Sequence, residues 1–80
     1  MRPHPRSPAE VIAEALSAHL GQSTARTAVR TFSGRIGLRP EQVSPDDAPR
    51  LLEALRPMLR TLLGSQPADA VLEGIRGDLR

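Results

Sequence analysis

The chain predicts an all-α protein: a small four-helix bundle or orthogonal helical array, with the third helix longest and kinked at Pro57. Three observations carry this reading. Apolar residues recur at i, i+3, i+4 and i+7 in four separate stretches. Helix start and stop signals bracket those stretches, with Ser-Pro pairs before the first and third and Gly21 and Gly64 after them. The connections are short, and 80 residues make one domain at most. No period of 20–50 residues is expected to repeat, and the recurring Ser-Pro-x-acid start reads as a capping device.

Residues 1–7 hold Pro3 and Pro5 among Arg2, His4 and Arg6 with nothing to bury, so they read as a disordered basic tail. The tail lacks the apolar stretch of a secretory signal. The single helical domain then spans 8–80. Ser7 is positioned to cap helix one (about 8–20), Pro8 suits its first position, and Glu10 sits where a capping box needs an acid. Val11, Ile12, Ala15, Leu16, His19 and Leu20 recur at the spacing of one helix face, and Gly21 stops it. Helix two (about 23–36) has a narrow face of small residues, Ala25, Ala28 and Val29, with Phe32 and Ile36. Gly34 and Gly37 mark its exit, and Glu41 to Ser44 form a linker.

Helix three is expected over about 45–63. Ser44 is its cap, although Pro49 offers a later start with Asp47 or Ala48 as cap. Leu51, Leu52, Leu55, Met58, Leu59, Leu62 and Leu63 hold one helical phase across Pro57, which favours one kinked helix over two. After Gly64 a last helix (about 67–76) turns Ala68, Val71, Leu72 and Ile75 inward, weakened by Gly74 and Gly77.

Composition excludes several functions. There is no Cys, so no disulfide framework, thiol nucleophile or Cys zinc site exists. There is no Lys for a Schiff base or phosphate loop. One Phe and no Tyr or Trp cannot build a base-stacking platform. No apolar run reaches membrane-spanning length. All eleven basic side chains are Arg, and Lys and Asn are missing together, as coding in a GC-rich genome would give. The net charge of +2 is too small to mark a polyanion binder, and the pI near 11.0 follows from arginine's high pKa.

Groups able to do chemistry are sparse. His19 sits near the end of helix one without the companion ligands a metal needs, and reads as a boundary or helix-end residue. Glu10 with Glu14, and Asp69 with Glu73, are carboxylates one turn apart on polar faces and read as solvated. No nucleophile elbow, glycine-rich phosphate loop or HExxH is present. The expectation is a non-enzymatic chain with no catalytic residue, cofactor or metal.

Charge has one feature with shape. Arg26, Arg30, Arg35 and Arg39 occupy a stretch free of acids, and Glu41, Asp46 and Asp47 follow in a stretch free of bases. The two stretches can match each other within the chain or between subunits, or they can be an ordinary solvated face. The Leu-rich face of helix three is wider than one small partner helix needs. Leu51, Leu55, Leu59, Leu62 and Leu63 are therefore expected as core or interface, with Arg26 and Arg30 orienting an acidic partner. The alternative is a small DNA-binding protein with helix two on phosphates.

The spacing His19-Leu20-Gly21, Thr24-Ala25-Arg26 and Val29-Arg30 resembles a small helical module of bacterial signalling proteins, often appended to Ser/Thr kinase or cyclase domains. The likeness covers about 15 of the 80 residues, and the Leu-rich third helix departs from it. The resemblance implies a regulatory or docking role and brings no catalytic residues. The expectation from sequence is a cytoplasmic bacterial interaction module. Its partner is a protein, self or heterologous, most simply a homo-oligomer; nucleic acid is the lesser choice, and no membrane is involved.

Overall fold

In the computed structural model residues 7–79 are described; of the expected tail at 1–7, residues 1–6 lie outside them and Ser7 is the cap of the first helix. The elements are α1 (Pro8–Leu20), α2 (Gln22–Arg35), a single 3-10 turn (Pro40–Gln42), α3 (Ala48–Leu63) and α4 (Ser65–Asp78). No strand occurs among the described residues, and the all-α class holds.

Local chemistry accounts for the boundaries. The Glu10 N–H donates to Ser7 Oγ at 3.2 Å, so α1 starts where the cap signal placed it. α2 closes at Gly37, where the Leu38 N–H donates to the Ser33 carbonyl and the Gly37 N–H to the Gly34 carbonyl, a Schellman motif. α3 begins at Ala48, three residues later than the expected start at 45. Pro49 explains the correction. It lacks an N–H, so it belongs in the first turn, where no intrahelical donor is required. Residues 45–47 form a turn instead. The Asp47 N–H donates to Ser44 Oγ, and the Ser44 N–H donates back to Asp47 Oδ2. At 16 residues α3 is the longest helix, and it runs unbroken through Pro57. α4 extends past both expected ends, to Ser65 and Asp78.

The four helices form two hairpins, α1–α2 and α3–α4. They pack together with α2 against α3 and α1 against α4. Each hairpin turns on one glycine. Gly21 has φ 83°, ψ 158°, and Gly64 has φ 93°, ψ 161°. This region of backbone space is open to glycine and almost closed to other residues. Each glycine ends one helix and caps the next: its N–H bonds the carbonyl four residues back, and its carbonyl accepts from Ala25 or Ala68 four residues on.

The two hairpins share a turn spacing and a burial register, a likeness that the expectation of no repeat did not include. Placing Gly21 on Gly64 aligns Leu16-x3-Leu20-Gly21-x3-Ala25 with Leu59-x3-Leu63-Gly64-x3-Ala68. Burial follows the same register. Ile12 matches Leu55, Leu16 matches Leu59, Ala25 matches Ala68 and Val29 matches Leu72, all of them buried. One continuous core results, joined by Leu51, Leu52, Val43 and Ile75. Fully burying each Leu, Ile or Val side chain contributes roughly 1.5–3 kcal/mol, within the matched pairs and outside them alike.

Candidate interaction face

The Leu residues expected as core or interface divide sharply. Leu51, Leu55 and Leu59 are 0% exposed and belong to the chain's own core. Leu63 is partly buried against it. Leu62 alone of the five faces solvent, at 55% exposure. The unusually wide apolar face of α3 is therefore filled from within, by α2 on one side and α4 on the other.

Asp69 departs from expectation. Its side chain is 41% exposed, yet it anchors a cross-helix clamp. Arg56 Nη1 donates to its Oδ1 at 2.6 Å, and Arg60 donates to both carboxylate oxygens at 3.2 and 3.0 Å. Arg56 also grips Glu53 through two bonds, and Arg76 approaches Glu53 at 3.6 Å. The clamp ties α3 to α4 across Gly64. Hydrogen bonds from Arg60, then Arg56, hold the Asp69 carboxyl below the ordinary carboxylate range, and Arg56 does the same for Glu53. Sequence reasoning missed this network. Its one signal was the i,i+4 spacing of Arg56 and Arg60 before a turn that folds Asp69 back onto them.

The Arg-rich stretch makes no such contacts. Arg26 and Arg30 are exposed on α2, and among the described residues no ion pair joins Arg26, Arg30, Arg35 or Arg39 to Glu41, Asp46 or Asp47. Asp47 is held by Ser44 and lies 3.8 Å from Arg50, and the Ser44 backbone N–H lowers its pKa most. Arg35 stacks on Phe32, with its guanidinium carbon 4.6 Å from the ring centroid.

Two adjoining hollows run down the outer face of the first hairpin. One, about 580 Å³, lies between α1 and α2 and is lined by Glu10, Ala13, Glu14, Ser17, Gln22 and Arg26. The next, about 430 Å³, is lined by Ser7, Ala9, Val29, Arg30, Pro40 and Glu41, and shares Glu10, Ala13 and Arg26 with the first. Acids thus line the hollows that hold Arg26 and Arg30. His19 is exposed and borders a separate shallow hollow between α1 and α4. Among the described residues no three potential metal-ligating side chains cluster, and no helix is long and apolar enough to cross a membrane.

In comparisons with known proteins, the chain matches no family model, no curated protein and no solved structure.

Proposed function

We propose that this chain is a non-enzymatic protein–protein interaction module that acts by helix packing, as a regulatory or docking unit of a bacterial signalling complex. The observation that carries the reading is the outer face of the first hairpin. Its hollows are rimmed by Arg26 and Arg30, which are exposed and make no ion pair among the described residues. Exposed arginines beside an apolar floor are common anchors of protein interfaces, because the guanidinium offers several donors and a flat apolar face. The resemblance of the Gly21 to Arg30 stretch to a signalling module agrees with this role. So does the poverty of catalytic groups in the sequence.

Affinity capture from the native cell tests the proposal, with the unaltered chain and the double variant Arg26→Glu/Arg30→Glu as baits. A protein retained by the first and lost from the second is expected. Retention of nothing beyond background by the unaltered chain overturns the proposal, and so does equal retention by both baits. Duplex DNA is the competing ligand for Arg26 and Arg30. A low-salt mobility shift abolished by the same double variant would replace the protein reading with a nucleic-acid one.

A further inference from the structure

We infer that the open face of the first hairpin docks a second copy of this chain about a twofold axis, with Glu10 of one copy meeting the partner's Arg30. The inference rests on the interaction-module reading and names its partner.

The internal repeat shows why this face is open. In the register that sets Gly21 on Gly64, Ala13 and Ser17 on α1 take the places of Arg56 and Arg60 on α3, and Arg26 on α2 takes the place of Asp69 on α4. In the second hairpin the two long arginines cross to Asp69, and the chain bridges its own helices. In the first hairpin the matching side chains are a methyl and a short hydroxyl, which cannot reach Arg26. The space that the clamp spans in one hairpin is an open hollow of about 580 Å³ in the other.

The charges on the rims say what comes. α1 contributes Glu10 and Glu14 and α2 contributes Arg26 and Arg30, and Glu10, Arg26 and Arg30 line the same 430 Å³ hollow at one level of the hairpin, together with Glu41 of the 3-10 turn. The acidic rim and the basic rim therefore run side by side along antiparallel helices. A twofold axis lying in the contact plane and parallel to the helices places α1 of each copy over α2 of the other. Acid then faces base at both edges, as a closed isologous contact requires. The floor of Ala9, Ala13 and Ser17 is made of small side chains, so that two copies can approach closely in this arrangement.

Charge-swapped mixing tests the inference on the full chain by sedimentation equilibrium at low salt. The unaltered chain is expected to dimerise at micromolar concentration. Glu10→Arg alone sets two arginines against each other at both edges, and Arg30→Glu alone sets two acids together. Each variant by itself should dimerise on the order of tenfold more weakly or worse, because both edges change from attraction to repulsion. Mixed in equal amounts, the two variants restore opposite charges at both edges, and the dimer should return to near its original strength. A mixture no stronger than its components overturns the inference. In the unaltered chain, association should weaken steeply as ionic strength rises. Association indifferent to salt overturns the inference, as does a strict monomer up to millimolar concentration. A monomer leaves the interaction-module reading to be decided by the capture experiment, so the two fail separately.

Discussion

Replacing Gly21 by alanine isolates the backbone turn on which the first hairpin depends. A Cβ added at Gly21 meets nothing within 4 Å, so the substitution creates no clash with the rest of the fold. What it meets is its own backbone, at φ 83° and ψ 158°, a conformation almost reserved for glycine. The strain should cost roughly 1–3 kcal/mol. In a domain of this size each kcal/mol moves the melting temperature by about 4–8 °C, so Gly21→Ala should lower it by at least several degrees. Gly74→Ala is the matched control. Gly74 lies inside α4, also with nothing near its added Cβ, and there alanine should stabilise by roughly 0.5–1 kcal/mol through helix propensity. Thermal and urea unfolding followed by circular dichroism read both changes. The same atom added at two open sites should act with opposite sign. If Gly21→Ala melts at or above the unaltered chain, the single-glycine turn is not the constraint described here.

Three further outcomes follow from the core and the clamp. Leu59→Ala removes a fully buried side chain from the matched core and should cost about 3–5 kcal/mol in urea unfolding, a large share of a small domain's stability. A loss near zero would show that Leu59 is not enclosed. Ser33 is fully buried, and among the described residues its Oγ has no hydrogen-bond partner, so Ser33→Ala should raise stability by about 1 kcal/mol, and a clear loss would reveal a bond to that hydroxyl. Asp69 and Glu53 have folded-state pKa values below their ordinary ones. Their contribution is therefore complete above the normal carboxylate range and lost as the pH falls through the lowered values. Asp69→Asn should flatten that acid limb of the stability–pH curve and lower the melting temperature at neutral pH, less so in high salt. An unchanged acid limb would count against the clamp.

What the sequence revealed was mostly local. The span of α1, its Ser7 cap and the glycine stops were legible because each depends on a few adjacent residues. The start of α3 was harder, because Ser44 and Asp47 carry competing cap signals and the backbone demand of Pro49 decides between them. Which leucines face outward was not legible. Leu51 to Leu63 share one periodic stripe, and only the placement of α2 and α4 leaves Leu62 exposed while Leu59 is sealed. The repeat was present in the letters as Leu-x3-Leu-Gly-x3-Ala, yet few other positions keep identity. It is conserved between the hairpins as burial and turn geometry. The clamp on Asp69 joins residues that are neighbours only once Gly64 has reversed the chain, so periodicity within one helix could not show it. The open groove of the first hairpin became visible only by contrast with the bridged second.

The docking face is tested most directly by backbone amide NMR spectra of the unaltered chain over a concentration series. Concentration-dependent shifts should gather at Glu10, Ala13, Ser17, Gln22, Arg26 and Arg30, while Asp69 and its neighbours on α4 stay unmoved. Spectra that do not change with concentration, or shifts confined to α3 and α4, would contradict the assignment of the α1–α2 groove as the docking face.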